Sequence, residues 1–415
     1  MPSAIAAAAL PAPDGSTTAP RSPLVRRLAV ATVTMGIFAI VTVEILPIGL
    51  LPAIGRDFRV TDGTAGLMMT MPGLLAALSA PVVTVASARV DRRTMLGAFM
   101  LLLAAASALA AAAPGYWLVL VSRVAVGVTI GGFWSIAAGL AERLVPQQSV
   151  GRAKAVIFSA VPLGSVLGVP LGTFVGDVAG WRTSFAAMAV LAVAVWVAML
   201  VLLPPLPPAE AVHPRALCGL LRRTGTRLAL LMTFLVVLAH FGAYTYIAPF
   251  LAEVTRVSPG LVTLFLLAYG AAGVVGNFVG GAVAARRPRT AFAVAAGLIA
   301  LATLALPVAG RWAGGAVALL VVWGVAYGAV PVCSQTWFAV AAPGAPEAAS
   351  VLFTASFQAT FSLGALAGGA VVDRASAAAV MVCGGLVAAS AVLLAWGAGR
   401  VGGPAPTVAG ERRNR

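Results

Sequence analysis

Charged residues are scarce in this sequence: they make up 9% of its 415 residues, whereas soluble globular domains carry about a quarter. Hydrophobic residues account for 61%, and mean hydropathy is +1.01. So little charge excludes an ordinary soluble domain. We therefore predict an integral membrane protein, in which twelve apolar runs are long enough, at about 20 residues each, to cross a bilayer.

Cysteine and histidine are also rare, and each shortage excludes a class of site. The three cysteines lie far apart, which excludes a disulfide framework and a cysteine-based metal site. Two histidines, with no paired carboxylates inside a span, leave no catalytic cluster, so we do not expect an enzyme. The sequence has no phosphate-binding loop of the P-loop type, which argues against ATP as the energy source.

The net charge of +15 comes almost entirely from arginine, because Lys154 is the one lysine. In a soluble protein such a charge would indicate nucleic acid as a partner. Here the arginines lie in short loops, where they set topology and meet anionic headgroups, so we expect no nucleic acid. Loops on one side hold 20 Lys and Arg, against 6 on the other. This bias predicts a multi-pass protein of the inner (plasma) membrane with both termini in the cytoplasm.

A Pro-rich stretch at 204–208 divides the chain into two sets of six spans. The predicted spans are 28–50, 64–86, 94–112, 115–141, 153–176 and 183–203, then 227–251, 260–283, 290–309, 313–340, 348–371 and 376–397. The predicted organisation is a disordered cytoplasmic tail (1–25), a six-helix bundle (26–203), a cytoplasmic linker (204–226), a second six-helix bundle (227–397) and a cytoplasmic tail (398–415).

The two halves repeat each other. Gly164-x-x-x-Gly168 in span five recurs as Gly364-x-x-x-Gly368 in span eleven, 200 residues later. With six spans per unit, the two copies run parallel across the membrane. We therefore predict an all-α membrane protein whose twelve transmembrane helices form two pseudo-symmetric bundles of six.

Glu44 is the one carboxylate well inside a predicted span. An ionised side chain at mid-bilayer costs roughly 2.5 to 3.5 kcal/mol on insertion scales, so it needs a partner or a wet cavity. Arg123 lies at a similar depth in span four and shares a helix face with Gly127 and Gly131. Either the two charges form a static ion pair that fixes packing, or protonation of Glu44 couples transport and Arg123 tunes its pKa or competes for it.

His240 in span seven falls within a residue of the Glu44 position under the repeat. It is interpreted as a structural residue, a polar cavity wall opposite Glu44 or a proton carrier. Candidate substrate contacts share aromatic or amide side chains on spans four, seven and ten. They are Trp134, Tyr244, Tyr246, Trp323, Tyr327, Gln335 and Trp337. The alternative is that these aromatic residues belong to the interfacial belt or the core.

Two further motifs indicate gating or packing. Arg89-Val90-Asp91-Arg92-Arg93 is either a solvated loop or a latch in which Asp91 bonds arginines and helix termini on the cytoplasmic side. Span five carries small residues at intervals of four, flanked by prolines, which favours close packing or a bend between the halves. These residues are Pro162, Gly164, Gly168, Pro170 and Gly172.

Together these motifs resemble the major facilitator superfamily, and within it the twelve-helix drug:proton antiporter group, in particular its sugar-efflux and chloramphenicol-exporter-like branch. Arg123-x-x-x-Gly127-x-x-x-Gly131 is similar to the helix-four motif that the family implicates in proton transfer. The stretch from Val43 to Pro52 resembles its first-helix element, with Val43 in place of a threonine. The loop motif and the span-five motif match that branch as well.

The resemblance implies the major facilitator fold and a proton-coupled secondary transporter that exports a drug, an antibiotic or a sugar-like metabolite by alternating access. The expected driving force is a proton gradient, with no cofactor. The expected partners are a small-molecule substrate, protons and the lipid bilayer, and we expect a monomer. An importer or symporter of the same fold is the alternative, and a non-transporting membrane sensor is a further one.

Overall fold

The computed structural model describes residues 22–86, 90–137, 140–207, 219–284, 286–341 and 346–401. Within these residues, twelve helices are long and apolar enough to cross a membrane, as predicted. Most of the two predicted tails and residues 208–218 of the predicted linker lie outside the described residues.

The first half contains α1 to α6. They are α1 (Pro23–Ile45), α2 (Asp62–Ala86), α3 (Arg92–Ala111), α4 (Tyr116–Ala137), α5 (Val150–Leu163, continued by Val169–Ala179) and α6 (Trp181–Leu202). The short helices Leu140–Leu144 and Gln147–Ser149 lie between α4 and α5. The first span was predicted to end at residue 50, but α1 is interrupted at Leu46 and continues as the helix Pro47–Phe58. The interruption coincides with Pro47, which has no amide hydrogen to donate.

The second half repeats this pattern. Its helices are α7 (Thr224–Tyr244), α8 (Pro259–Ala284), α9 (Pro288–Ala309), α10 (Ala313–Ala341), α11 (Pro346–Arg374) and α12 (Ala377–Val401). Like α1, helix α7 is interrupted and continues as Ile247–Phe250 and Leu251–Thr255. Each half therefore begins with a broken helix.

The broken helices end in the same way. Arg59 closes the continuation of α1 with φ 53°, and Arg256 closes that of α7 with φ 59°. A left-handed backbone is uncommon outside glycine. These are the non-glycine residues with positive φ in the described chain, and they lie 197 positions apart. The internal repeat predicted from the sequence thus extends to an unusual backbone conformation.

The repeated glycine pairs make equivalent contacts. Gly164 and Gly168 of α5 face α1, whereas Gly364 and Gly368 of α11 face α7. Small residues allow two helix backbones to approach closely. The fifth helix of each half therefore packs on the first helix of the same half.

Each half has a buried apolar core, and the core of the second half also includes Ile48, Met69 and Val169 of the first half. The halves meet where α2 packs on α11 and where α5 packs on α8. Twelve crossings bring the chain back to the side on which it starts, so residues 22 and 401 lie on the same side as the linker that follows α6. We call this the linker side and the opposite one the far side.

Candidate functional site

Two prolines deprive main-chain carbonyl groups of their helical partners near the middle of the first half. In an α-helix each carbonyl oxygen accepts from the amide four residues later, and proline has no such donor. Pro47 stands four residues after Val43, and Pro72 stands four residues after Met68. The carbonyl oxygens of Val43 and Met68 therefore need a donor from elsewhere.

Arg123 supplies that donor. Its side chain is fully buried, and its Nη1 donates to the Val43 oxygen at 2.8 Å while Nε donates to the Met68 oxygen at 2.9 Å. The remaining nitrogen, Nη2, donates to the main-chain oxygen of Glu44 at 2.8 Å. A planar guanidinium with donors on several edges suits this task. Arg123 thus joins the broken end of α1 to α2 from its place on α4.

Glu44 and Arg123 lie at the same level, as predicted, but no ion pair joins their side chains, both of which are described. Arg123 contributes to helix packing through the main chain instead. Its neighbours Gly127 and Gly131 face the carbonyl groups of Pro72 and Ala76 on α2. The predicted close approach at these glycines is therefore present, and α2 is the helix that approaches.

The carboxylate of Glu44 reaches across to the second half. Gln358 of α11 donates from Nε2 to Glu44 Oε1 at 2.8 Å. Both side chains are buried, with 8% of Glu44 and 7% of Gln358 exposed. A hydrogen bond to an ionised group is about twice as strong as a neutral one. The charge state of Glu44 therefore bears directly on a contact between the two halves.

Facing this contact, the second half presents a stack of nearly parallel rings. His240 lies 3.3 Å from Tyr327 between ring centroids, with 6° between the planes. Tyr244 lies 5.1 Å from His240 on the same measure, and Tyr269 lies 4.4 Å from Tyr244. Tyr327 is half-buried, and Phe241 connects it to α11, because the Phe241 ring lies 5.7 Å from that of Tyr327 and 4.0 Å from that of Phe361 between centroids. The ring stack and the Glu44–Gln358 contact form one site.

Trp323 stands edge-on to the stack, at 81° to His240 and 84° to Tyr269. Its Nε1 donates to His240 Nδ1 at 3.1 Å. Trp323 lies 200 positions after Arg123, and His240 lies within a residue of the repeat position of Glu44. At or beside the positions that hold these two charges in the first half, the second half therefore holds rings.

Three other residues predicted to contact substrate lie elsewhere. Gln335 is exposed on α10 and lies outside the buried ring stack. Trp337 packs edge-on against Phe292 of α9, 5.9 Å away between ring centroids. Tyr246 donates its hydroxyl to the Ala365 oxygen at 2.8 Å, which places it between α7 and α11.

Trp134, predicted as a fourth-helix contact, is half-buried and stacks on Phe158 of α5 at 6.1 Å. This stacking lies within the first half. Trp134 therefore contributes no ring to the stack around His240.

The helix-five motif produces a local change in winding. A π-helical turn, Gly164–Gly168, separates the two parts of α5, and Pro162 and Pro170 stand on either side of it. One face packs on α1, because a Cβ at Gly172 would collide with Leu46. The other face reaches the second half, where Gly270 of α8 lies against Val166. The motif thus serves close packing within its half and contact between the halves.

A clasp closes the far side between the halves. Asp373, near the end of α11, accepts from the Gly63 amide and from the Thr61 hydroxyl, each at 2.8 Å. Gly63 lies in the first turn of α2, where amide groups have no helical partner. A carboxylate from the second half therefore caps a helix of the first half.

Replacing Gly63 by alanine should weaken far-side closure. The added Cβ would lie 2.4 Å from the main-chain oxygen of Gly369 on α11, which cannot move without moving the helix. We expect slower transport and greater far-side labelling of a cysteine placed at Met69, which is fully buried among core residues of the second half. Gly260→Ala is the matched control, because Gly260 is the repeat equivalent and a Cβ there meets nothing within 4 Å. Equal labelling in both variants would contradict the clasp.

The loop motif holds the linker on the opposite side. Asp91 caps α3 by accepting from the Arg93 amide at 2.8 Å, and it also accepts from the Leu206 amide at 2.8 Å. The Arg92 amide donates back to the Leu206 oxygen at 2.8 Å. The motif thus holds the start of the linker through the Asp91 carboxylate and the Arg92 main chain. Arg89, also assigned to it, lies outside the described residues.

Sequence reasoning missed Gln358 and Tyr269. A signal for Gln358 was present: it is an amide inside an apolar span, the same kind of costly polar residue that drew attention to Glu44. Nothing in the sequence separates Tyr269 from a tyrosine of the core. Its assignment depends on its ring stacking against Tyr244.

Comparison with solved structures agrees with this architecture. A bacterial homologue of the human lysosomal transporter Spinster, solved inward-facing and unoccupied, gives a TM-score of 0.74 at 15% identity, covering 93% of this chain and 100% of that one. The human organic anion transporter MFSD10 gives 0.65 at 19% identity, covering 90% and 100%. At such identities the likeness concerns the fold alone.

Sequence relatives are closer. The purine ribonucleoside efflux pump NepI of Salmonella paratyphi A is 33% identical over 368 residues, which is 88% of this chain and 93% of that protein. The transcription regulatory protein OpdE of Pseudomonas aeruginosa is 34% identical over 341 residues, 81% of this chain and 85% of that protein. The profile described as Major Facilitator Superfamily matches residues 33–354. The chain therefore belongs to the Major Facilitator Superfamily and is a multi-pass membrane transporter.

Proposed function

We propose that this transporter exports nucleosides or closely similar ring-bearing, hydroxylated molecules in exchange for protons. The observation that carries the proposal is the Glu44–Gln358 hydrogen bond, which joins the halves beside the ring stack. The similarity to a purine ribonucleoside efflux pump supports this substrate class and the outward direction. A nucleoside also agrees with the sugar-like class suggested by the sequence motifs.

The ring stack suits a planar ligand. Tyr327 has one face on His240 and remains half-buried, so a purine ring would extend the stack on the side of Glu44. Aromatic side chains bind nucleobases by stacking, at about 1 to 3 kcal/mol per base. His240 serves here as part of the ring platform, and Glu44 carries the proton.

Coupling follows from the position of Glu44 between the halves. A ligand shifts a conformational equilibrium only through different affinities for the two states. When the two halves are in contact at Glu44, the ionised carboxylate accepts a charge-assisted hydrogen bond from Gln358. A neutral Glu44 accepts a weaker hydrogen bond. Proton binding therefore weakens the contact between the halves at this point, and proton release strengthens it.

The direction of opening also has structural support. The halves touch from the Asp373 clasp to Gly73, which lies against Gln358 and Ser362. Towards the linker side, the α11 side chains 352–357 are only half-buried. With the arginine bias placing the linker in the cytoplasm, this is an inward-facing arrangement in the inner membrane. The protein works as a monomer in the lipid bilayer. The proton gradient is its energy source.

Everted membrane vesicles with an acidic lumen test the proposal. Vesicles containing the protein should accumulate radiolabelled inosine, and collapse of the pH gradient should release it. Vesicles lacking the protein are the control. Accumulation only with the gradient reversed would indicate a symporter instead, and absence of nucleoside movement under either gradient would contradict the proposed substrate.

A further inference from the structure

Three tyrosines of the ring stack have hydroxyl groups that no described residue bonds. The rings of Tyr244, Tyr269 and Tyr327 lie nearly parallel to that of His240. In the described part of the chain, none of their hydroxyl groups makes a hydrogen bond. That of Tyr269 is buried as well as unpartnered.

This arrangement differs from the way the protein treats its other described tyrosines. Tyr246 donates to the Ala365 oxygen at 2.8 Å, and Tyr116 donates to the Thr64 oxygen at 2.6 Å. Buried hydroxyl groups are normally paired, and an exception requires an explanation. In Tyr246 and Tyr116, which pack between helices, the hydroxyl group is therefore bonded to a main-chain oxygen.

The neighbouring polar groups do not explain the exception. Trp323 already donates to His240 Nδ1. In a neutral imidazole the proton then resides on Nε2, so His240 is a donor with a fixed orientation. Neither group contacts the Tyr269 hydroxyl group by a recorded hydrogen bond within the described residues. The remaining kinds of partner are an ordered water and a ligand that replaces that water.

We propose that Tyr269 is a specificity-determining residue whose hydroxyl group bonds a sugar hydroxyl of a ligand stacked beside Tyr244 and Tyr327. A phenol both donates and accepts, so a group that does the same is its natural complement. Ring stacking selects the heteroaromatic part of such a ligand, and Tyr269 selects its sugar. This inference rests on the proposed export of nucleosides and deepens it.

The test compares Tyr269→Phe with the unaltered protein in vesicles. For inosine, the variant should show a KM raised about threefold to tenfold, the usual effect of one lost hydrogen bond. The same comparison with 2′-deoxyinosine, 3′-deoxyinosine and hypoxanthine identifies the group contacted. For the analogue that lacks the contacted hydroxyl group, both proteins should give the same KM.

Stability measurements separate binding from folding. Because the Tyr269 hydroxyl group is unpaired, Tyr269→Phe should leave the Tm in detergent unchanged or raise it. Tyr246→Phe is the matched control: its hydroxyl group is bonded, so its Tm should fall while discrimination between inosine and its analogues persists.

The outcomes distinguish the two proposals. An unchanged inosine KM, an equal effect on every analogue, or a lowered Tm in Tyr269→Phe would overturn the role of Tyr269 and leave nucleoside export standing. If the unaltered protein moves no nucleoside, the proposed function itself fails, and the inference fails with it.

Discussion

Replacing Glu44 by glutamine should abolish proton-driven accumulation of substrate while the protein still folds and inserts. Glutamine keeps the size of the side chain and an oxygen that accepts from Gln358 Nε2, so the contact between the halves persists. The amide neither binds nor releases a proton in this pH range. The hydrogen bond between the halves then has the same strength at every step of the transport cycle. The pH gradient therefore no longer drives transport in one direction. The measurement is inosine accumulation in everted vesicles with an acidic lumen.

Exchange of labelled for unlabelled inosine across the membrane should continue in Glu44→Gln, because exchange requires alternation without net proton movement. Asp57→Asn is the control. Asp57 is a carboxylate too, but it is partly exposed and bonded to Arg182 and Trp181 away from the site. It should retain accumulation. Full gradient-driven accumulation in Glu44→Gln would show that the proton enters elsewhere and would overturn the coupling role of Glu44.

The sequence was sufficient for the architecture because hydropathy and helix length report directly on membrane crossing. All twelve spans are present, and so is the repeat that relates the halves. The end of α1 was misplaced because the apolar run weakens after residue 50, whereas the helix restarts at Pro47 and continues to Phe58. Proline is tolerated in the first turn of a helix, so Pro47 is compatible with a helix that starts there. Hydropathy alone does not indicate this start.

The side chains of the site were harder to predict, because a sequence gives position along a helix more readily than direction around it. Trp323 and Tyr327 are four residues apart on α10 and share a face. Gln335, twelve residues after Trp323, is rotated by about 120° from that face at 3.6 residues per turn. Trp337 returns to the face, but at about 21 Å along the axis. Both were assigned to the site without this helical geometry.

Arg123 was interpreted through its charge, whereas the structure shows its geometry to be decisive. The signal was in the sequence: prolines at 47 and 72 follow Val43 and Met68 by four residues. Each such spacing leaves a carbonyl oxygen that some donor must reach. A search for buried donors would have pointed to Arg123, since it is the basic residue inside a span.

Replacing Arg123 by leucine should therefore lower stability severely, apart from any effect on protons. Three buried carbonyl oxygens would lose their donor, and each unsatisfied group costs about 1 to 3 kcal/mol. Arg123→Lys should recover only part of the loss, because a single ammonium group cannot match the spread of a guanidinium. The measurement is thermal unfolding of the purified protein in detergent.

Proline replacement gives this prediction a specific rescue. Pro47→Ala and Pro72→Ala each restore an amide donor four residues after an orphaned carbonyl group. In the Arg123→Leu background they should together recover about 1 to 3 kcal/mol, since a net hydrogen bond contributes about 0.5 to 1.5 kcal/mol. In the unaltered protein the same changes should have much less effect, because Arg123 already occupies those oxygens. Additive effects, with no rescue, would show that Arg123 stabilises the protein in some other way.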